Sequence, residues 1–444
     1  MSDDAAIERF RGLLRIPTVS RAEADETDWR AFERFREALA AAYPAIHAAA
    51  ERELVAGHTM LWRWPGAAPS QPPVVLMAHQ DVVDPGRLAD WRQPAFGAEL
   101  VEHEGAATIW GRGTIDDKGS LVGLLEAAEA LAAGGFRPRR DVWFVFGHDE
   151  ETHGTGAAAA AALLAQRRVV PELVLDEGGA IVGGFLPGVD ARLAAIGITE
   201  KGVANFRLTV TGQGGHSSAP PRDSAIFRLA RAVARIQRRP FPARLTAASQ
   251  GMFRAAGAGS RGVLPWLYRG VAWSAPLLRR ALQSKPEGAA MTRTTVVATR
   301  ISGGHALNAV PERAEAILNA RILAGESLAG TLDRLRAATG DAGVEVELVS
   351  GWEPAPIAPT DGPGWDRLVS TIAEVFPDVV PTPYGQTGAT DSRSFAILTP
   401  AVYRFTPFDL SDAERAALHA VDERIRVDAW LAGIAFYRAF LAGC

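Results

Sequence analysis

The sequence contains a single cysteine, Cys444, among its 444 residues. One thiol cannot form an intramolecular disulfide, and it cannot supply the several thiolates of a cysteine-ligated metal site. We therefore expect a reducing, cytoplasmic compartment. Residues 1–4 lack the basic and apolar regions of a secretory signal. The most apolar later stretch, residues 263–282, carries three arginines and two prolines, so we expect no membrane span.

The sequence also lacks a strong charge imbalance. Lys and Arg total 47 and Asp and Glu total 51, which gives a formal net charge of −4. A balance this close to neutral gives no reason to expect a nucleic acid or an anionic membrane as partner. Hydrophobic residues make up 48% and charged residues 22%, as in ordinary soluble globular proteins. The chain is too long for one hydrophobic core, so we expect two domains.

Helix-like and strand-like segments alternate from residue 5 to residue 199. Three short apolar runs are typical of buried strands, namely residues 74–78, 142–146 and 173–175. Two longer segments have the apolar spacing of helices, residues 31–42 and 121–133, and we expect the second to present one apolar face. This alternation predicts an α/β domain with a mainly parallel sheet.

The pattern changes at residue 200. Residues 204–211 alternate apolar and polar side chains, which indicates a half-buried antiparallel strand. A helix, two strands, a helix and a strand follow, at residues 225–238, 294–301, 314–322, 327–339 and 344–349. This order predicts a small α+β, ferredoxin-like domain. Because the proline-rich residues 354–363 would lead back to the first domain, we predict that residues 200–352 are inserted between residues 1–199 and 353–444.

An additional segment, residues 239–287, is rich in Arg, Pro, Trp and Leu. We expect a helical elaboration packed on the small domain. A wall for an apolar substrate and a dimer contact are the two alternatives. The segment has few polar groups in a recognisable array, so it does not indicate a substrate specificity.

Acidic and histidine side chains follow the strand-like runs. Glu150 and Glu151 follow residues 142–146 after Gly147, His148 and Asp149. Each carboxylate disfavours the charge of its neighbour unless a cation or a shared proton stabilises the pair. A metal ion can do this, with one carboxylate as ligand and the other free to handle protons. His79 directly follows residues 74–78. Asp81 could accept a hydrogen bond from the second ring nitrogen of His79.

Further clusters have the same character. Asp116 and Asp117 lie in a glycine-rich loop before a helix. Asp176 directly follows residues 173–175, and His419 lies near the end of the chain. Since ligands bind outside the carboxyl ends of strands in open α/β sheets, the clusters together predict a shared metal site. Without usable cysteine, a histidine and carboxylate set suits zinc best and cobalt or manganese less well.

Charge counting supports two metal ions. Asp116, Glu151 and Asp176 contribute about three negative charges and two divalent cations about four positive charges, so a bridging hydroxide closes the sum. One carboxylate would then bridge metal ions roughly 3.5–4 Å apart.

These motifs resemble, over nearly the whole chain, the two-zinc exopeptidases that include carboxypeptidase S, aminoacylase and bacterial glutamate carboxypeptidase. The motifs are His79-Gln80-Asp81-Val82-Val83, Gly111-Arg112-Gly113-Thr114-Ile115-Asp116-Asp117-Lys118-Gly119, Asp149-Glu150-Glu151, Asp176-Glu177-Gly178-Gly179, Gly215-His216-Ser217-Ser218 and His419. The long insertion and two of these motifs are most similar to the carboxypeptidase S branch, which includes N-acyl amino acid hydrolases.

The resemblance implies two zinc ions and a division of roles among the metal ligands. It places His79 and Asp176 on one zinc, Glu151 and His419 on the other, and Asp116 between them. It implies a cis peptide bond between Asp116 and Asp117. The inserted domain would act as a lid and as the contact of a homodimer.

The resemblance also implies the catalytic and substrate-binding residues. Glu150 would be the general base, and Asp81 would orient His79. His216 would reach the active site of a partner subunit and stabilise the oxyanion. Asn308 and Arg321 would contact the substrate, with the loop around Gly388 as a weaker candidate. For His305, next to this group, a substrate contact and a structural role stay equally open.

The sequence thus predicts a zinc-dependent hydrolase. It would release a C-terminal amino acid from a peptide or an N-acyl amino acid, whose free carboxylate an arginine can bind through two parallel hydrogen bonds. One alternative is a dipeptidase that requires a free amino terminus. The other is a metal-stabilised protein that binds acyl amino acids without cleaving them, against which the free carboxylate of Glu150 argues.

Overall fold

The computed structural model describes residues 2–184, 186, 188–283 and 286–444. Its helices are α1 (Asp3–Leu14), α2 (Trp29–Ala42), α3 (Pro44–Ala49), α4 (Lys118–Ala133), α5 (Thr155–Gln166), α6 (Ala225–Arg238), α7 (Ala247–Ala256), α8 (Leu264–Arg269), α9 (Val271–Leu282), α10 (Pro286–Thr292), α11 (Leu328–Thr339), α12 (Pro363–Val375), α13 (Asp412–Ala416) and α14 (Val427–Ala442). Short 3-10 helices span Ala24–Glu26, Leu88–Asp90 and Asp391–Ile397.

The strands are β1 (Glu51–Val55), β2 (Thr59–Trp64), β3 (Val74–His79), β4 (Glu99–His103), β5 (Ala106–Trp110), β6 (Val142–Gly147), β7 (Leu173–Asp176), β8 (Ile181–Val182), β9 (Arg192–Glu200), β10 (Gly202–Thr211), β11 (Gly215–His216), β12 (Thr295–Gly303), β13 (Ala309–Val310), β14 (Arg313–Ile322), β15 (Val344–Trp352), β16 (Val379–Gln386), β17 (Val402–Arg404) and β18 (Arg424–Arg426).

A nine-stranded sheet lies at the centre, in the order β1-β2-β6-β3-β7-β17-β9-β16, with β8 paired to β9. The middle strands β6, β3, β7 and β17 run parallel, as does β16 beside β9. Every residue of β3, β6 and β7 is buried. Strands covered on both faces have continuous apolar sequences, which is why these three could be predicted from their composition. The expected α/β fold with a mainly parallel central sheet is confirmed.

Helix α4 is buried on all sides, so the expectation of one apolar face is wrong. Residues 118–129 are all buried, because α1, α3 and α14 cover the side that faces away from the sheet. Two glutamates are buried with them and need partners. Glu126 accepts hydrogen bonds from Arg9 Nε at 2.7 Å and from the Tyr43 hydroxyl at 2.9 Å, and Glu129 accepts one from the Ile46 N–H at 2.8 Å.

Helix α14 is fixed against α4 and the amino-terminal helix. The Trp430 ring stacks on Phe10 with ring centroids 4.4 Å apart, and its Nε1 donates to the Gly119 carbonyl at 3.0 Å. Burial of an aromatic side chain of this size contributes about 2–3 kcal/mol. The contact fixes the end of the chain beside the start of α4, where Asp116 lies.

A second, four-stranded antiparallel sheet has the order β12-β14-β10-β15. Helices α6 and α11 cover one face and form a hydrophobic core separate from that of the central sheet. This is the ferredoxin-like arrangement that the order of strands and helices predicts. On the opposite face Val297, which pairs with Asn319, is exposed. The domain boundaries 1–199, 200–352 and 353–444 stay a prediction.

The sequence predicts that residues 239–287 pack on the small domain. This prediction is wrong, because the segment packs mainly on the core of the central sheet. The buried side chains of α7, α8 and α9, among them Met252, Phe253, Tyr268 and Leu278, belong to the same core cluster as the central sheet. Of the described residues in this segment, Phe241 alone is buried in the core of the small domain. Residues 284 and 285 lie outside the described part of the chain. Among the described residues, none of the helices combines the length and the apolar character that crossing a bilayer requires.

Candidate metal centre

The carboxyl ends of three neighbouring parallel strands bring most of the predicted site together. His79 is the last residue of β3, Asp176 is the last residue of β7, and Glu150 and Glu151 follow β6 within four residues. Asp116 arrives differently, because β5 belongs to a separate three-stranded sheet in the order β18-β5-β4. Asp116 lies in the loop that leads into α4, as its position before a helix predicts, and reaches the site from outside the central sheet.

Asp116 lies between the two predicted histidine ligands. Its Oδ1 is 2.9 Å from Nε2 of His79, and its Oδ2 is 2.8 Å from Nε2 of His419. Nε2 of His419 is also 3.2 Å from Oε2 of Glu151. One ligand atom each of His79, Asp116 and Glu151 fall within 4.8 Å of one another. A carboxylate with one oxygen toward each histidine has the arrangement of a bridging ligand, and the Asp116–Asp117 peptide is cis as expected.

The structure brings Glu177, rather than the predicted Asp176, to His79. Oε1 of Glu177 is 3.6 Å from Nε2 of His79, and these two residues form a second group with Asp117 whose ligand atoms lie within 4.8 Å. The Asp176 carboxylate instead accepts a hydrogen bond from the Ser392 N–H at 2.9 Å and belongs to neither group. The geometry therefore favours Glu177 over Asp176 as the carboxylate ligand beside His79.

Asp81 connects the His79 strand to the Glu150 loop. The side chain is fully buried, and Nδ1 of His79 lies 3.0 Å from the Asp81 carbonyl and 3.3 Å from its Oδ1. The same carboxylate accepts hydrogen bonds from the backbone N–H of Glu150 at 3.3 Å and of Glu151 at 3.2 Å. Holding Nδ1 in this way leaves Nε2 of His79 free to bind a metal ion, and it fixes both carboxylates of the pair relative to it.

Glu423 fixes the loops that carry Asp116 and His419, a role that the sequence analysis does not predict. Its buried carboxylate accepts hydrogen bonds from Arg112 Nη1 at 2.7 Å and from the backbone N–H groups of Gly113, Ile115 and Asp116 at 3.0, 2.9 and 3.2 Å. Arg112 also donates to the carbonyl of Ala420 at 2.9 Å. Arg112 lies in the glycine-rich motif and Glu423 lies four residues after His419. Nothing in the local sequence shows that these two residues, 311 apart, are paired.

The carboxyl groups around Asp116 carry raised pKa values. Burial, and then the charge of Asp116, raises the pKa of Glu177 to about 8. Burial also raises the pKa values of Glu150 and Glu151. Hydrogen bonds to Asp116 and Glu151 raise the pKa of His419 to about 10. The pKa of Asp116 is lowered despite its burial, because His419 and His79 both donate to it.

The donor set suits divalent metal ions. Buried oxygens of Glu151 (Oε1) and Asp117 (Oδ1) have no hydrogen-bond partner, and such groups are costly without a cation or a donor. Burial and the neighbouring carboxylates raise the pKa values of these groups, and a bound cation would stabilise their charged forms. Imidazole nitrogens and carboxylate oxygens together are the ligands of zinc sites in proteins that offer no thiolate.

An open cavity of about 410 Å³ adjoins these residues. Asp116, Glu150, Glu177 and His419 line it on one side, and Tyr384, Gln386, Thr390, Thr406 and Arg415 are among the residues that complete the wall. Arg415 is the only lysine or arginine among the lining residues, and its Nε has no hydrogen-bond partner in the described part of the chain. A guanidinium at this position could bind a substrate carboxylate.

The other predicted residues lie away from this cavity. His216 and Asn308 are exposed near the paired strands β11 and β13, and Arg321 is exposed near the end of β14. None of the three lines the cavity within the described chain, whose walls come from residues outside 201–352. Gly388 is exposed between Thr387 and Ala389, which do line it. A role of His216 in a partner subunit stays a prediction.

Asp391 is a further buried carboxyl group that the sequence analysis treats only as part of the Gly388 loop. Both of its oxygens lack a hydrogen-bond partner among the described residues, and burial followed by the charge of Asp176 raises its pKa well above the usual range. It lies against Gly147 and Gly154, where an added Cβ would collide with its oxygens. The charge of Asp391 in turn raises the pKa of Glu150, so this group extends the acidic cluster behind the base.

Comparison with known proteins gives three consistent matches. The family model of Peptidase family M20/M25/M40 matches residues 75–443. The chain is 34% identical over 443 residues to a probable carboxypeptidase S-like 2 of Dictyostelium discoideum, with 98% of this chain and 84% of that protein covered. It is 34% identical over 441 residues to the N-fatty-acyl-amino acid synthase/hydrolase PM20D1 of Homo sapiens, with 97% and 86% covered.

The fold matches a solved structure over almost its full length. The M20 family metallo-carboxypeptidase Sso-CP2 from Sulfolobus solfataricus superposes with a TM-score of 0.71 at 17% identity, covering 98% of both chains. At this level of identity the likeness concerns the fold. It confirms the expected catalytic-domain architecture.

Proposed function

This chain belongs to peptidase family M20/M25/M40, and from that membership we propose that it hydrolyses an amide bond and releases a C-terminal amino acid from a peptide or an N-acyl amino acid. The membership makes the chain a metallopeptidase or amidohydrolase and bears out the resemblance seen in the sequence. The names of the two relatives, a carboxypeptidase S-like protein and an N-fatty-acyl-amino acid hydrolase, support this substrate class.

The arrangement of Asp116 carries the proposal. Its two oxygens face His79 and His419, and Glu150 lines the same cavity without being needed as a ligand. We assign His79, Glu177, Asp116, Glu151 and His419 to hold two divalent ions, with zinc favoured by the donors. Bound there, such ions would polarise the scissile carbonyl and lower the pKa of a water molecule.

The residues of the chain perform the proton transfers in this proposal. Glu150 accepts the proton of the attacking water and delivers it to the departing nitrogen, so that a neutral amine and a carboxylic acid form, and the acid then loses its proton to solvent. The Asp81 carboxylate accepts a hydrogen bond from the backbone N–H of Glu150 and so keeps Glu150 in place. The Asp81 carbonyl contacts Nδ1 of His79 and keeps Nε2 of that ring turned toward Asp116. Burial and the neighbouring carboxylates raise the pKa of Glu150, which makes its carboxylate a stronger base than one in water.

A substrate comparison tests the proposal. The metal-loaded protein is assayed with an N-acetyl amino acid, an N-fatty-acyl amino acid with the same amino acid, and the corresponding free dipeptide. We expect the capped substrates to be cleaved at their amide bond, with loss of cleavage when the terminal carboxylate is amidated. Cleavage of the free dipeptide alone would identify a dipeptidase instead. Tight binding of the capped compounds without turnover would identify a binding protein.

The participation of a second subunit is a separate part of the proposal. His216 is exposed and lies outside the cavity of its own chain, as a residue that serves a neighbouring cavity would. We propose a homodimer through the inserted domain. Mixing inactive His216→Ala and Glu150→Gln proteins, after dissociation and reassociation, should restore about a quarter of the wild-type sites, because a random mixture makes half of the dimers mixed and each of those has one intact site. If the mixture stays inactive although mixed dimers form, His216 does not act across the interface.

A further inference from the structure

Helices α8 and α9 carry an outward apolar surface. The exposed fractions are 73% for Val263, 67% for Trp266, 49% for Trp273 and 56% for Leu277. Val263 and Trp266 are three residues apart and Trp273 and Leu277 four, so each pair lies on one side of its helical segment. The Trp266 and Trp273 rings are in contact, with centroids 3.9 Å apart, and join the two sides into one surface.

This surface is not the side by which the helices attach to the protein. The side chains of Tyr268, Val271 and Leu278 face the other way and are buried in the main core cluster. The two helices are therefore anchored through one side and present a second apolar side to solvent. Contiguous exposed apolar surface of this kind marks a binding site more often than it occurs without function.

The charged side chains of the segment that carries this surface are all basic. Residues 247–283 contain five arginines and no aspartate or glutamate, in a chain whose formal net charge is −4. Arg261 is paired with Asp190 at 3.2 Å. Arg269, Arg279 and Arg280 are exposed, and no carboxylate of the described residues forms an ion pair with them. Arg280 follows Trp273 by seven residues and Leu277 by three, so it lies on the same side of α9.

We propose that this basic apolar patch, formed by Val263, Trp266, Trp273, Leu277, Arg269, Arg279 and Arg280, attaches the protein to an anionic lipid surface. The indole rings and the two aliphatic side chains enter the boundary between head groups and acyl chains, where tryptophan is favoured. The guanidinium groups remain at the level of the lipid phosphates, and their stems cover apolar surface.

Two other occupants fit the surface less well. In a symmetric contact with a second copy of the chain, the unpaired arginines would face each other and repel. A single-stranded nucleic acid needs exposed aromatic faces on which bases stack, whereas the two indoles contact each other and are flanked by aliphatic side chains. A lipid surface satisfies both the aliphatic and the cationic part.

Vesicle flotation tests this inference with the full-length protein. Wild-type protein should float with vesicles of phosphatidylcholine and phosphatidylserine, not with phosphatidylcholine alone, and the binding should weaken as salt increases. Arg279→Glu/Arg280→Glu should lower the partition coefficient by about 30-fold or more, since each basic residue near an anionic surface contributes about fivefold. Trp266→Ala/Trp273→Ala should lower the partition coefficient on anionic vesicles at both low and high salt.

Matched variants control for net charge and for exposed aromatic area. Arg34→Glu/Arg87→Glu changes the charge of the protein by the same amount at exposed arginines elsewhere, and Phe227→Ala removes an exposed ring from α6. Both should float like the wild type, and all variants should keep the wild-type circular dichroism and melting temperature.

Three outcomes would overturn the inference. One is failure of the wild-type protein to float with anionic vesicles. Another is an equal loss of flotation in the Arg34→Glu/Arg87→Glu control, which would mean that only overall charge matters. The third is that the tryptophan variants float normally but abolish a dimer seen by light scattering, which would make the patch a contact between copies of the chain.

Discussion

The central sheet and the inserted sheet hold their acidic side chains in opposite ways. In the inserted domain exposed carboxylates pair with guanidinium groups, as in Arg207–Glu347 at 2.7 Å and Arg228–Asp341 at 2.8 Å. At the carboxyl edge of the central sheet, Glu150 and Glu177 are buried beside other acids, and their pKa values are raised. The pKa of Asp341, by contrast, is lowered to about 2 by its hydrogen bonds from Arg228 and from the Gly343 N–H.

The difference shows which charges serve the fold and which serve chemistry. Pairs at the surface of the inserted domain satisfy themselves and contribute little, typically about 1 kcal/mol or less. Buried acids without cations destabilise the folded chain. Such destabilising groups are typical of functional sites, where they bind a ligand or take part in a reaction. The predictions below therefore contrast a change at the central edge with a matched change in the inserted domain.

The largest contrast concerns turnover. Glu150→Gln removes the proposed base and should lower kcat by about a thousandfold or more, because general bases contribute about 10²–10⁴-fold. Its metal content should stay at the wild-type level, since Glu150 is not among the proposed ligands. Glu347→Gln, in the surface pair with Arg207, should keep wild-type activity. Steady-state kinetics with metal analysis measures both, and wild-type turnover by the Glu150 variant would exclude it as the base.

The next contrast concerns stability. Glu423→Ala leaves Arg112 buried without its carboxylate, which should lower the free energy of unfolding by about 3–5 kcal/mol. Asp341→Ala removes the same kind of pair at the surface and should cost about 1 kcal/mol or less. The side chains are 2% and 0% exposed in the first pair and 22% and 25% in the second. Urea unfolding of the metal-free proteins measures both, and similar losses would contradict the comparison.

The smallest contrast concerns pH. In metal-free protein Glu177 (pKa about 8) and His419 (about 10) bind protons more tightly than in the unfolded chain. The native state then holds more protons than the unfolded state, so the free energy of unfolding should fall as pH rises from 5 to 9, with the buried Glu177 contributing more than the partly exposed His419. Asp341 acts with the opposite sign, because its contribution is present above its ordinary pKa and is lost as pH falls toward about 2.

Urea unfolding in the presence of a chelator at pH 5, 7 and 9 measures this dependence. Glu177→Gln should flatten it below pH 8, whereas Asp341→Asn should leave this range unchanged and alter only unfolding below pH 4. A free energy of unfolding that rises between pH 5 and 9 would contradict the assigned protonation states.

The strands and the acidic pair at Glu150 could be predicted because the signals are local. Residues 74–78, 142–146 and 173–175 are apolar throughout, as strands buried on both faces require, and the structure extends each by one residue only. The order of elements in the inserted domain was equally informative. Polar side chains directly after such strands are then bound to meet at one edge.

The choice between Asp176 and Glu177 could not be made from the sequence. Both are acidic and adjacent, and the order of the motif does not say which side chain faces His79. The decision depends on Ser392, more than 200 residues away, whose N–H binds the Asp176 carboxylate. The pairing of Arg112 with Glu423 has the same origin, since both partners are distant in the chain.

Average composition also concealed local structure. The net charge of −4 gave no reason to expect an anionic surface as partner, yet residues 247–283 contain only positive charge. The sequence predicts that this segment packs on the small domain. It packs on the central core instead, because α7 contacts strand β16 and the segment's buried side chains join the core of the central sheet. The cytoplasmic compartment and the homodimer stay predictions.

The contact of Glu423 with the Asp116 loop has a consequence for biosynthesis. The proposed ligands span residues 79 to 419, and the carboxylate of Glu423, which is translated later still, holds the loop that carries Asp116. A ribosome must therefore translate residue 423 before the metal centre can close, whereas the last strand of the inserted domain is complete at residue 352. An incomplete nascent chain thus holds the parts of a hydrolase without being one.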